Sequence, residues 1–151
     1  MPRVPRAAAF VLCLALASPA PAQSPDAEVR AALDRFVAAL NALDVPTIVA
    51  LHGDRVTGFV PTARAERVQG RAAVARIYTA YAERERAAAQ PRRVVPESLT
   101  VSADARLGVA SFQVVDSAAR LVRRRTFVFA READGAWRIA HFHASDAPMT
   151  P

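Results

Sequence analysis

Pro91 divides this chain by its period. Before it, apolar residues recur at helical spacing. Val29, Leu33, Phe36, Val37, Leu40 and Leu43 share one stripe of a segment from Ala27 to Leu43, with Asp26 placed to cap its start. Val74, Ile77, Tyr78 and Tyr81 share one stripe of a second segment from Arg71 to about Ala88, whose Glu83, Arg84, Glu85 and Arg86 read as a solvated end. Between them, Asp44 and Pro46 open a short helix through Leu51, which His52-Gly53-Asp54 ends. Arg55 to Pro61 follows as a strand closed by proline, Thr62 to Glu66 as a loop, and Arg67-Val68-Gln69 as a short extended piece. Beyond Pro91 the spacing is that of strands: Val94 to Ser102, Arg106 to Val115, Arg120 to Arg131 and Ala136 to Ser145, joined by tight turns. This order predicts an α+β fold with three helices grouped on one face of a curved antiparallel sheet.

The first residues do not belong to that pattern. Met1 to Arg6 is a short basic start, Ala7 to Ala17 a compact apolar run, and Ala20-Pro21-Ala22 a small-residue site before Gln23. These three parts in order predict a secretory signal peptide over 1–22 and a single domain over 23–151, periplasmic or secreted. The apolar run is too short to span a bilayer, which takes about 20 residues. Cys13 stands inside the run rather than after a small residue at its end, so no lipid anchor is expected. It is also the single cysteine, so the exported domain has no disulfide and no thiolate chemistry. The 20 basic residues are all arginine and are scattered apart from Arg123-Arg124-Arg125. No basic face with interleaved aromatics is visible, and nucleic acid is not an expected partner.

The ending G-A-W-R-I-A-H-F-H-A-S-D-A-P, Gly135 to Pro148, carries the one tryptophan and two of the three histidines. With the order of elements, it resembles the nuclear transport factor 2-like superfamily, a cystatin-like roll in which a bent sheet and three helices form a cone with a pocket at its open end. The closest resemblance is to SnoaL-like proteins and to the association domain of calcium/calmodulin-dependent kinases. The association domain shares the D-G-x-W…H-F-H-x-S-x-A-P run and the F-x-P…V-x-G pattern at Phe59, Pro61, Val68 and Gly70. The segment from Arg35 to Leu51 is similar to the start of the ketosteroid isomerases. This fold hosts many activities, so the resemblance implies a fold more strongly than a reaction.

The isomerases use a carboxylate base before a proline, a tyrosine in the first helix and a carboxyl in the penultimate strand. The matching positions here are Val60, Phe36 and Phe127, all without a proton to move. The association domain lines its pocket with arginines, at positions matching Gln113, Phe127 and Ala144. Arg125 lies on the same strand face as Phe127 and is the one arginine placed to substitute, unless it is simply solvated at a strand end. The expected pocket is therefore mostly apolar, lined by Phe36, Phe59, Val60, Tyr78, Gln113, Arg125, Phe127 and Phe142, and takes an unidentified small molecule. No catalytic residue is assignable; His52, Asp54 and Tyr78 are the weak candidates for an isomerase, cyclase or hydrolase. His141 and His143 share a face with Trp137 and Ile139 under strict alternation. They are expected in a homodimer interface rather than on a metal, because a zinc site would need a third ligand such as His52 or Asp146. No cofactor is implied.

Overall fold

A computed structural model describes residues 23–61 and 67–149. The expected signal segment at 1–22 and the loop at 62–66 lie outside them. Three helices, α1 (Pro25–Asn41), α2 (Val45–Ala50) and α3 (Gly70–Ala87), accompany six strands, β1 (His52–Phe59), β2 (Arg67–Gln69), β3 (Glu97–Ala103), β4 (Leu107–Asp116), β5 (Leu121–Arg131) and β6 (Trp137–Pro148). The strands form one curved, unclosed sheet in the order β2-β1-β6-β5-β4-β3. β3 to β6 run as hairpins, but β1 lies parallel to β6. No hairpin constrains that pair, since α3 and four strands separate them in the chain.

The helix starts differ from expectation in one respect. Ser24 caps α1, its Oγ accepting from Ala27 N at 3.3 Å. Asp26 instead accepts from Ala103 N at 2.6 Å, tying the helix start to the end of β3. Asp44 caps α2 as expected, accepting from Thr47 N at 3.1 Å. His52-Gly53-Asp54 does not end α2 but opens β1.

α1 lies against β3, β4 and β6, and α3 against β1 and β2. Their apolar stripes meet the concave face in one core containing Val29, Leu33, Phe36, Ile48, Val56, Val74, Phe129 and Ile139. Trp137 belongs to that core, its Nε1 donating to Glu28 Oε2 of α1 at 2.7 Å. Both Trp137 and Ile139 were expected on the opposite face. The register explains the difference: Val128 pairs with His141 and Phe129 with Ile139, so β6 bulges at Ala140. A bulge adds one residue and inverts the alternation behind it. Trp137 and Ile139 therefore join Phe142 and Ala144 on the concave side, while His141 and His143 stay outside.

Candidate functional site

A cavity of about 720 Å³ opens between α1, α3, the segment after α3 and strands β4 to β6. Its deep end is aromatic. Phe36 of α1 lies 5.0 Å from Phe127 and 6.0 Å from Tyr78 between ring centroids, and Phe127 stacks on Phe112 at 5.9 Å. Phe142 closes this floor 6.3 Å from Phe127. Its ring has room because Gly58 is its partner across the β1–β6 pair; a Cβ there would lie 2.6 Å from Phe142 Cζ.

The outer wall is ionic. Glu85, 2% exposed, accepts from Arg92 N at 2.9 Å and from Arg92 Nε at 3.0 Å. The Arg92 guanidinium lies 3.7 Å from Asp116, which accepts from Arg123 Nη2 at 2.8 Å. Arg123 Nη1 donates to Asp146 at 2.6 Å, and Asp146 also receives Arg125 Nη1 at 3.4 Å. Acids and arginines thus alternate in a ladder from α3 to β6. Hydrogen bonds from Arg123 and from Ala119 N hold the Asp116 carboxyl below its ordinary pKa. Burial would push the Glu85 carboxyl up, but its bonds from Arg92 outweigh burial and lower it.

Arg125 ends the ladder where it meets the aromatic floor. Its Nη1 donates to Arg124 O, Ser145 O and Asp146. Nε and Nη2 make no hydrogen bond among the described residues. Burial lowers its pKa, against the pull of Asp146. The Tyr78 hydroxyl is shifted up by burial, with Arg125 near enough to oppose that shift. Arg125 is neither at a strand end nor fully solvated: it pairs with Phe112 and Ala144 in mid-sheet, and its side chain is 21% exposed.

His52 sits one ring deeper. It is fully buried, its centroid 5.9 Å from Phe36, 5.9 Å from Tyr78 and 5.7 Å from Phe142. Nδ1 is 2.7 Å from Ile48 O, and a carbonyl only accepts, so Nδ1 carries the proton. Nε2 is then a bare acceptor, and it has no partner. Burial lowers the imidazole pKa to about 4, so the ring is neutral at neutral pH. Asp54 points away: its side chain is 81% exposed and pairs with Arg71 at 2.9 Å.

Of the residues expected to line the pocket, Phe36, Val60, Tyr78, Arg125, Phe127 and Phe142 do so. Phe59 and Gln113 do not. Phe59 pairs with His143 on the outer face, 43% exposed, its ring 6.1 Å from that of His141. Gln113 pairs with Arg124, one residue out of phase with Phe112, and so faces outward. Asp116, Arg123 and Asp146 were missed, although period two already put Arg123 and Arg125 on the face of Phe127. His143 reaches the cavity rim, and His141 Nδ1 bonds Thr57 Oγ1 at 2.8 Å. Among the described residues no three His, Cys, Asp or Glu side chains gather as a metal site.

The fold is shared with several proteins of known structure. An NTF2-like protein of unknown function from Pseudomonas putida has 22% identity over 80% of this chain and 84% of its own, with a TM-score of 0.70. A protein proposed as a calcium/calmodulin-dependent protein kinase type II association domain, from Thiobacillus denitrificans, has 26% identity over 80% and 94%, with a TM-score of 0.63. A protein proposed as a dehydratase of the NTF2-like family, from Streptomyces avermitilis, has 20% identity over 85% and 100%, with a TM-score of 0.66. No curated protein matches the chain by sequence. The SnoaL-like domain family matches residues 29–150, and the chain belongs to that family.

Proposed function

We propose that this domain binds a small amphipathic acid without transforming it, an apolar body lying on the aromatic floor and an acidic group meeting Arg125. The observation that carries this reading is Arg125 itself. It is a partly buried guanidinium, its side chain 21% exposed, with two nitrogens unengaged among the described residues, at the border between Phe127 and the ionic ladder. Guanidinium forks suit carboxylates, and partial burial strengthens the attraction. Absence of chemistry is inferred from the acids: Asp116 and Asp146 both face arginines, and a general base needs a free lone pair within reach of the substrate. The second reading, an isomerase, cyclase or hydrolase, rests on the bare Nε2 of His52 and requires the floor rings to part.

Native mass spectrometry of protein isolated from its host tests the binding reading, with a retained acid of a few hundred daltons expected. Phenylacetate supplies the probe in vitro. It should raise the melting temperature of the wild type and not that of Arg125→Leu; an equal response to benzyl alcohol would refute the acid preference. For the second reading, turnover of a bound acid that stops in His52→Phe would replace binding with catalysis.

Two further proposals concern assembly and place. The domain forms a homodimer through the outer face of the sheet, and it is exported with cleavage after Ala22. N-terminal sequencing of the host protein should begin at Gln23; an intact Met1 would refute export.

A further inference from the structure

We propose that the cavity has a second polar pole, the Nε2 of His52, and that its ligand is a hydroxylated aromatic or alicyclic acid whose hydroxyl docks there. The inference rests on the acid-binding reading and names its ligand class.

Three observations carry it. Nε2 of His52 is the one buried side-chain nitrogen or oxygen among the described residues without a partner. Leaving a buried acceptor unpaired is costly, so such an atom calls for a donor from outside the chain. Secondly, its ring contacts Phe36, Tyr78 and Phe142, and all three line the cavity. His52 itself does not line the cavity, so a donor reaches Nε2 only where one of these three rings turns aside. Thirdly, the Ile48 carbonyl fixes the proton on Nδ1, so Nε2 can only accept while the ring is neutral. That selects a hydroxyl or N–H over a second carboxylate. Tyr78 spans the interval between the poles, its ring against His52 and its hydroxyl within electrostatic reach of Arg125. A ligand of similar length, carboxylate at one end and hydroxyl at the other, matches both.

The test uses two matched pairs of probes, 4-hydroxyphenylacetate against phenylacetate and 3-(4-hydroxyphenyl)propanoate against 3-phenylpropanoate. Calorimetry on the wild type should show the hydroxylated member of at least one pair binding about tenfold tighter. His52→Phe should abolish that preference and keep the affinity for the deoxy acid. Arg125→Leu should weaken both members alike and leave the preference. Because His52→Phe disturbs the core, the wild type also carries a direct readout. The nitrogen resonance of the bare Nε2 should move upfield with the hydroxylated probe and stay with its deoxy partner. Equal affinities within both pairs, with Nε2 unmoved, would overturn this proposal and leave the acid-binding reading intact. An Nε2 already shifted in the free protein would assign it a resident water and overturn the proposal too. Failure of all four acids to bind the wild type would overturn the acid-binding reading and this inference with it.

Discussion

A neutral imidazole sealed beneath aromatic rings makes folding compete with proton binding. In the unfolded chain His52 takes up its proton near 6.5; in the fold, burial lowers that value to about 4. Between those values the unfolded chain holds more protons, so its population rises as pH falls. The contribution is complete above about pH 6.5 and is lost as pH drops through 4, roughly 3 kcal/mol in all. Arg71, whose Nε donates to His52 O at 2.7 Å, adds to the depression through its charge. Glu28, Asp116 and Asp134 also have lowered pKa values and slope in the same direction, so the comparison with His52→Phe isolates the histidine. Urea midpoints at pH 7, 5.5 and 4 should fall less steeply in the variant; parallel curves would show that His52 is charged in the fold. Gly58 offers a second test at this scale. A methyl group there meets the Phe142 ring at 2.6–2.7 Å, and that ring can yield only toward His52 or the cavity. Gly58→Ala should cost about 1–3 kcal/mol and weaken phenylacetate binding, read by chemical denaturation and calorimetry. Unchanged affinity would separate the floor from the binding site.

Glu85 decides how α3 is joined to the cavity mouth. Its carboxylate holds both the backbone and the guanidinium of Arg92, at the start of the segment that contributes Arg92, Arg93 and Val94 to the cavity. Glu85→Ala should therefore loosen residues 91–96 and speed their amide exchange at least tenfold, with β5 and β6 unaffected. Uniform protection would mean that strand packing alone holds the mouth. In sequence this glutamate sits among Glu83, Arg84 and Arg86 and reads as part of a wet helix end. Its spacing said otherwise, since position 85 follows Tyr78 by seven and Tyr81 by four, on the buried stripe. The element order, the α+β class and the resemblance were legible because helical and strand periods are long-range patterns of many residues. Local rules were legible only where one signal acted alone, as at the Asp44 cap. Asp26 was the expected cap of α1, but Ser24 takes that role and Asp26 is recruited by β3, which no local rule can foresee. The bulge at Ala140 was equally hidden. Strict alternation counted back from Ala144 sends Trp137 and Ile139 outward, and nothing in W-R-I-A-H-F-H marks the extra residue. The ionic ladder was half legible, because period two aligns Arg123 and Arg125, while pairing with Asp116 and Asp146 depends on strand register.

For the whole molecule the open question is what covers the sheet's outer face. The bulge removes Trp137 and Ile139 from that face, so a dimer cannot rest on them. Two cross-strand rows remain, Val109-Val128-His141-Thr57 and Ser111-Thr126-His143-Phe59. Phe59 is 43% exposed and Val109 42%. The hydroxyls between them are already spent within the face: Ser111 bonds Thr126 at 3.1 Å, and Thr57 bonds His141 at 2.8 Å. Burying these rows would therefore strand few polar groups; Arg67 of β2 extends the second row past Phe59 at the sheet edge, and Arg124 and Arg138 lie beyond the two rows toward opposite ends. A two-fold axis through the face would set each row against its copy, which suits a surface with no charge in its middle. A stable interface of this kind buries about 1,200–2,000 Å² in total, within reach of a six-stranded sheet. Sedimentation at micromolar concentration should give a dimer for the wild type. Val109→Arg should weaken it by at least a hundredfold, because the axis brings two copies of the new charge together in a desolvated patch. The substituted side chain points away from the core, so the melting curve of the dissociated variant should remain cooperative and its affinity for phenylacetate should match the wild type. A wild-type monomer would refute the assembly; a dimer unaffected by Val109→Arg would move the interface elsewhere; and loss of phenylacetate binding with the dimer would mean that the partner's sheet completes the cavity.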